Sequence, residues 1–154
     1  MPSSDNEKVA SVNRKAYHDY HIDDVLEAGI VLTGTEIKSI RTGHVSIRDS
    51  YARVDNNEVW LYNSTISHYE PGSRYNQDPG RPRKLLLHHH QIKYLMNETR
   101  QKGYTLVPLK IYFKKGRAKV ELGLAHGKKM YDKRQAIAER EAEREMQRHY
   151  KASR

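Results

Sequence analysis

Aromatic and cationic side chains are interleaved along this chain. Tyr17, Tyr20, Tyr75, Tyr112 and Tyr131 each lie within a few residues of an arginine or lysine. Rings that stack on bases beside cations that neutralise phosphates are what RNA binding needs. A single strand tyrosine more often serves cross-strand packing, so the pattern carries the inference and no one member does. Other chemistries find less support. His88-His89-His90 cannot ligate one metal ion from a helix, because consecutive side chains point about 100° apart. Glu27, Glu36 and Asp49 are not paired at a spacing that suits acid and base catalysis, and no nucleophile motif accompanies them. Gly123 and Gly127 lack the spacing of a phosphate-cradling loop. The chain has no cysteine, which excludes thiolate catalysis, disulfides and Cys-ligated metals. Neither an enzymatic activity nor a cofactor is expected.

The balance of charge agrees with a polyanionic partner. Twenty-eight Lys and Arg against nineteen Asp and Glu give a net charge of +9 in 154 residues. The longest purely aliphatic run is Leu85 to Leu87, so no membrane partner is expected. Met1 to Val9 carries Asp5 and Glu7 and no apolar stretch of the signal-peptide kind, which points to the cytoplasm.

The length suits one domain, and the elements that must position these groups are mostly strands. Residues 1–12 read as a flexible arm. Asn13 to Tyr17, alternating through Tyr20 and Ile22, reads as a first strand. Asp23 and Asp24 as caps and Gly29 as a stop suggest a short helix over 24–28, followed by a buried strand at Ile30 to Leu32. Thr35 can cap a helix carrying Ile37 and Ile40, with Gly43 as its stop. Tyr51 to Val54 and Val59 to Tyr62 flank the turn residues Asp55, Asn56 and Asn57, a hairpin signal, and Thr65 to Tyr69 continues as a strand. Pro71 to Lys84 is a long basic loop with Arg74, Arg81, Arg83 and Lys84. Leu85 to Lys102 is the best helix, ending at Gly103. Tyr104 to Phe113 and Ala118 to Leu124 are the clearest strands, joined by a basic tip at Lys114-Lys115-Gly116-Arg117. The fold class expected is mainly β: a small, oligonucleotide-binding-like antiparallel barrel over 13–126, with about three flanking helices.

Residues 127–154 are a different material. Met130, Tyr131, Ile137, Met146 and Tyr150 are too sparse to order a helix by packing. Arg140, Arg144 and Arg148 fall at i, i+4 and i+8, while Glu139 with Glu143 and Glu141 with Glu145 repel at the same spacing. Attraction at i, i+3 between Arg140 and Glu143, Glu141 and Arg144, and Glu145 and Arg148 roughly cancels those repulsions. The tail is expected to be disordered alone and helical on RNA, where it presents one arginine stripe.

Four motifs in order carry a resemblance to a known family. They are Gly34-Thr35-Glu36-Ile37-Lys38-Ser39-Ile40-Arg41, Asp49-Ser50-Tyr51, Arg83-Lys84-Leu85-Leu86-Leu87, and Gly127-Lys128-Lys129 with Tyr131-Asp132-Lys133-Arg134. Over about Asn13 to Arg134 the chain resembles the bacterial SsrA-binding proteins, SmpB. That resemblance implies an oligonucleotide-binding barrel that binds the tRNA-like domain of transfer-messenger RNA and brings it to stalled 70S ribosomes. The tail is then implied to enter the empty message channel near the decoding centre, on ribosomal RNA. It further implies an adaptor, a monomer, that meets elongation factor Tu and alanyl-tRNA synthetase through the RNA.

Asn13, Glu27, Leu86 and Lys119 match family positions implicated in binding the tRNA-like domain, with Arg14 beside Asn13. Lys119, Arg83 and Lys84 are expected to neutralise phosphates, Glu27 to accept from a base or ribose, and Leu86 to offer an apolar contact. Without the resemblance, Glu27 reads as a helix residue and Leu86 as core. Gly127, Lys128, Asp132, Lys133 and Arg134 match the tail's functional motif. Lys129, Tyr131, Arg140, Arg144 and Arg148 complete the expected ribosome-facing set. Two positions depart from other members: Glu121 stands where some carry a second basic residue, and Tyr131, where side chains differ, could stack on a ribosomal base. The competing readings are a generic single-strand nucleic-acid-binding barrel and, from a different class, an RNA-processing enzyme.

Overall fold

Period-two alternation decides the architecture, since each strand buries one row of side chains and exposes the other. The computed structural model of the chain describes residues 7–69, 78–101 and 103–152, without the side chains of 101, 129–136 and 150–152. Its first half runs β1 (Glu7–Val12), α1 (Arg14–Asp19), β2 (Tyr20–Ile30), α2 (Gly34–Arg41), β3 (Val45–Ser46), β4 (Tyr51–Asp55), β5 (Glu58–Tyr62) and β6 (Thr65–Ile66). The second half runs β7 (Arg83–Leu86), α3 (His89–Gln101), β8 (Thr105–Lys114), β9 (Arg117–Gly127) and α4 (Lys128–Ala152). Strands β1, β8, β4, β5, β7, β2 and β9 form one sheet in that order, and a further β8–β9 pairing closes it into a ring with β1 on the outside of the order. Strands β3 and β6 pair separately. The fold is therefore mainly β and oligonucleotide-binding-like, as expected.

The interior is filled by Ala28, Val59, Leu61, Leu85, Leu106, Ile111, Val120 and Leu122, with Ile40 from α2 and Leu95 from α3 packed into the same cluster. A second cluster lies outside the ring, where Ala16 of α1 packs on Val107, Leu109 and Ala125. Strand β8 is thus covered on both faces, which accounts for its nearly continuous apolar sequence.

Several elements differ from their sequence expectations. The flexible arm of 1–12 becomes a strand over Glu7–Val12, held by pairing with β8 from Glu7↔Lys114 to Val12↔Lys110; residues 1–6 lie outside the described ones. The barrel therefore extends beyond the expected 13–126 to include Glu7–Val12 and Gly127, which pairs with Tyr20. The expected strand from Asn13 is helix α1, because the Asn13 side chain accepts from the Ala16 N–H and Ala16 is buried. The expected helix over 24–28 is the middle of β2, paired with β9 from Asp24↔Leu124 to Ala28↔Val120. Asp24 is no helix cap: its carboxylate takes its neighbour Val25's N–H beside a bulge and the Tyr94 hydroxyl from α3. Eleven cross-strand pairings of β2, nine to β9 and two to β7, outweigh local capping signals. Strand β2 ends at Ile30, and Thr65 to Tyr69 is a strand only at Thr65–Ile66. The helix expected from Leu85 starts at His89, since Leu85 and Leu86 belong to β7.

Other signals hold. Asn56 and Asn57 take positive φ of 50° and 62° in the β4–β5 turn, as a two-residue hairpin requires. Lys115 and Gly116 do the same between β8 and β9, at 52° and 77°. Helix α2 is capped by Thr33 in place of the expected Thr35. The expected loop's Arg74 and Tyr75 lie outside the described residues.

Tail residues Lys128–Ala152 form one 25-residue helix, and the side chains of 137–149 are all exposed. This is the helical form expected of the tail on a partner; among its described side chains, those of 137–149 offer no packed face.

Candidate nucleic-acid interface

An open groove on the outer face of the ring gathers Glu27, Leu86 and Lys119 from three strands distant in sequence, with Arg117, His88 and Gln91 at its rim. Its construction follows from register. Gly29 of β2 pairs with Leu86 of β7 on one side and with Lys119 of β9 on the other. With no side chain at Gly29, Leu86 and Lys119 face each other across a shallow floor; a Cβ there would sit 3.3 Å from the Leu86 Cβ. Leu86 is 52% exposed, so it is not the core residue that local pattern suggests. Ile30, Leu32, Ile37, Leu87 and Ala118 continue the apolar lining. The result is an apolar strip edged by cations, able to take a ribose or base edge with its phosphates toward Lys119 and Arg117.

Glu27 lies two residues before Gly29, hence on the same face. Its Oε2 accepts from the Tyr112 hydroxyl at 2.5 Å and lies 3.5 Å from Lys114 Nζ. The Tyr112 hydrogen bond, with help from Lys114 and Lys119, outweighs the burial penalty and holds the Glu27 carboxyl below its ordinary value. Glu27 is therefore ionised at neutral pH and acts only as an acceptor, which suits a base amino group or ribose hydroxyl and not a phosphate. Burial and the same Glu27 hydrogen bond push the Tyr112 hydroxyl upward. Glu27 and Glu121 sit directly opposite, an unfavourable pairing relieved by Lys114 on one and by Lys110, 3.7 Å away, on the other. Glu121 thus interrupts the basic row of β9 after Lys119.

The remaining expected residues do not converge on this groove. Asn13 is 2% exposed: its amide donates to the Ile47 and Pro108 carbonyls, each at 2.9 Å, while its oxygen caps α1. Any effect on RNA passes through the placement of α1. Asn13→Ala should lower stability by about 1–3 kcal/mol, read by denaturant unfolding, through one lost cap and two orphaned carbonyls. Arg14 lines a separate depression with Lys15, His18 and Arg48.

Arg83 corrects the sequence expectation outright. Adjacent strand residues face opposite sides, so of Arg83 and Lys84 only one can reach solvent. Arg83 is 0% exposed and donates to Glu36 Oε2 from Nε at 3.0 Å and from Nη2 at 2.8 Å. It also donates to Ser64 and to the Arg81 and Pro79 carbonyls, so no donor remains for phosphate. Lys84 faces out and pairs with Glu58.

In the tail, Gly127 ends β9 and Lys128 opens α4. The side chains of Lys129, Tyr131, Asp132, Lys133 and Arg134 lie outside the described ones. Arg140, Arg144 and Arg148 are exposed at four-residue spacing, one stripe of the helix. Sequence reasoning took Gly29 for a helix stop, saw Arg117 only as part of a hairpin tip, and read Tyr112 as a stacking ring, whereas it is 3% exposed and serves as the donor to Glu27. The alternation of Arg117, Lys119 and Glu121 could have revealed Arg117; nothing local marks Gly29. Among the described residues no His or carboxylate cluster is arranged to hold a metal, and no helix is long and apolar enough to cross a membrane.

A small closed antiparallel sheet with a cation-edged groove on its outer face and an arginine-striped helical tail defines an oligonucleotide-binding-type protein directed at RNA. Comparison with known proteins narrows this. The family model described as SmpB protein matches residues 10–152. The SsrA-binding protein of Desulfitobacterium hafniense (strain DSM 10664 / DCB-2) is 59% identical over 149 residues, covering 97% of this chain and 96% of that one. That of Carboxydothermus hydrogenoformans is 60% identical over 146 residues, covering 95% and 98%. A solved structure described as "tmRNA-SmpB: a journey to the center of the bacterial ribosome" superposes with a TM-score of 0.65 at 55% identity, over 77% of this chain and 83% of that one. The chain belongs to the SmpB family of SsrA-binding proteins.

Proposed function

We propose that this protein is the RNA-binding adaptor of trans-translation. It binds the tRNA-like domain of transfer-messenger RNA through the Glu27–Leu86–Lys119 groove and brings that RNA to ribosomes stalled on broken messages. The observation that carries the reading is the meeting of these three residues around Gly29, since they match the family positions implicated in that contact. The names of the relatives and of the solved structure point to the same RNA and to the ribosome. The tail, with Gly127, Lys128, Asp132, Lys133 and Arg134 at its root and the Arg140–Arg144–Arg148 stripe beyond, occupies the empty message channel. The protein works as a cytoplasmic monomer without catalysis of its own, and elongation factor Tu and alanyl-tRNA synthetase reach it only through the RNA.

Binding to transfer-messenger RNA with excess bulk tRNA as competitor, at near-physiological salt, tests this. Competitor-resistant binding supports the adaptor; binding equal to that of bulk tRNA leaves a generic barrel. Within the groove, Lys119→Ala should weaken binding and reduce the slope of log affinity against log salt by about 0.7–0.9, the share of one phosphate contact. An unchanged slope would remove Lys119 from the phosphate contacts.

A further inference from the structure

The outer face of the ring does not end at the groove. Strand β7 sends Leu86 into it and, two residues earlier and roughly 6.6 Å along the strand, Lys84 onto the neighbouring surface. There Lys84 pairs in register with Trp60 of β5, and Trp60 with Arg53 of β4. One rung further, Tyr51 and Tyr62 pair, their rings stacked with centroids 5.5 Å apart and planes at 21°. Arg53 and Tyr51 are exposed, and Trp60, Tyr62 and Lys84 half-buried. The backs of the strands are locked by Val59 and Leu61, both 0% exposed.

Glu58 Oε2 lies 2.5 Å from Lys84 Nζ, beside Trp60 on the same face of β5. That ion pair holds the Glu58 carboxyl below its ordinary value and offsets its charge next to the indole. Arg53, directly opposite, has no ion-pair or hydrogen-bond partner among the described residues. Cross-strand packing accounts for the Tyr51–Tyr62 pair alone. It does not account for a half-buried indole in register between Lys84 and a guanidinium that has no partner among the described residues, on a strip continuous with a nucleic-acid groove. Asp55, two residues from Arg53 on the same face of β4, limits the strip at that end.

We infer that the β4–β5–β7 face, centred on Trp60 with Arg53, Lys84, Tyr51 and Tyr62, is a stacking platform for unpaired bases of a single-stranded RNA segment running on from the Leu86–Lys119 groove. Its link to the groove rests on the function proposed above; the platform itself is a separate site. Rings offer their faces to any base, so recognition is tolerant of sequence, while Arg53 and Lys84 take the flanking phosphates.

Trp60 is the one tryptophan in the chain, so its emission reports the site directly. The full chain is titrated with single-stranded oligouridylate and oligoadenylate of about ten nucleotides, within the footprint of one such barrel. Binding is followed by anisotropy of labelled RNA and by indole emission together. Strong quenching at saturation is expected, with affinity falling on the order of tenfold in Trp60→Leu and little in Trp60→Phe, which keeps a stacking face. Saturable RNA binding with indole emission unchanged overturns the platform, and that reading needs no variant to fold. So does full oligonucleotide affinity in Trp60→Leu. A parallel titration with the tRNA-like RNA separates the two proposals. Its failure, with oligonucleotide quenching intact, removes the adaptor and leaves the platform. Tight tRNA-like binding without oligonucleotide quenching does the reverse.

Discussion

A chain ending at Gly127 is expected to bind transfer-messenger RNA within about twofold of the full-length protein and to show only background rescue of ribosomes stalled on a truncated message. The cut belongs after Gly127 and not earlier. Gly127 and His126 still pair with Tyr20 and His21 of β2, and His126 Nδ1 lies 2.9 Å from Asp23 Oδ2, so a shorter chain would lose the end of the β2–β9 pairing. The groove residues Glu27, Leu86 and Lys119 are untouched by this truncation. What is lost is the arginine stripe and the Lys128-to-Arg134 segment. If those groups touched the RNA, each phosphate contact removed would lower the salt slope by about 0.7–0.9, so an unchanged slope assigns them to another partner. Rescue retained by the shortened chain would refute the tail's role. An isolated peptide of residues 128–154 should be at most partly helical by circular dichroism, because its exposed face contributes no packing and its i, i+3 and i, i+4 charge pairs nearly cancel.

Glu36→Ala should cost about 3–5 kcal/mol of folding stability, a large part of the roughly 5–15 kcal/mol that a domain has. Glu36 is 4% exposed and receives both arginines: Arg81 from Nε at 3.0 Å and Nη2 at 2.5 Å, and Arg83 from Nε and Nη2. It also completes the capping box of α2, accepting from the Thr33 N–H at 3.0 Å while its own N–H donates to Thr33 Oγ1. Removing the carboxylate strands Arg83 at 0% exposure with a full charge and no counter-ion. It also frees the Pro79–Arg81 segment that feeds β7. The double variant Glu36→Met with Arg83→Met should recover much of the loss, because no charge is then left buried. Equal destabilisation of single and double variants would contradict this account.

The same network predicts the response to acid. Burial alone would raise the Glu36 pKa, but hydrogen bonds from Arg81, Thr33 and Arg83 outweigh it and leave it below the ordinary 4.5. A carboxyl depressed in the folded state contributes stability that is fully present above the unfolded value and lost as pH falls through the folded one. The stability gap between the wild type and Glu36→Gln, by urea unfolding, should be widest at neutral pH and narrow below pH 4.5. A gap constant down to strong acid would place the stabilisation elsewhere.

The hairpins and the clearest elements were legible in local signals. Asn56-Asn57 and Lys115-Gly116 need left-handed backbone that few residues accept, and the apolar runs of β5, β8 and β9 are bounded by those turns. The helix at Gly34–Arg41 followed from the spacing of Ile37 and Ile40. Strands without such marks were not legible. Glu7–Val12 is a strand only because β8 offers it an edge, and 24–28 carries helix-like caps that pairing with β9 overrides.

By itself the sequence determined the protein's class: a basic, cysteine-free, mainly β chain with a tail that cannot pack, and four ordered motifs that mark its family. Those properties are additive over residues or local in the chain. Which residues make the groove was decided only by tertiary structure. Register sets Gly29 between Leu86 and Lys119, and the two-residue period of β7 sends Arg83 into the core and Lys84 to the surface. Both depend on which strand pairs with which, a relation between residues as far apart as Leu61 and Arg83 or Gly29 and Lys119 that no local pattern encodes.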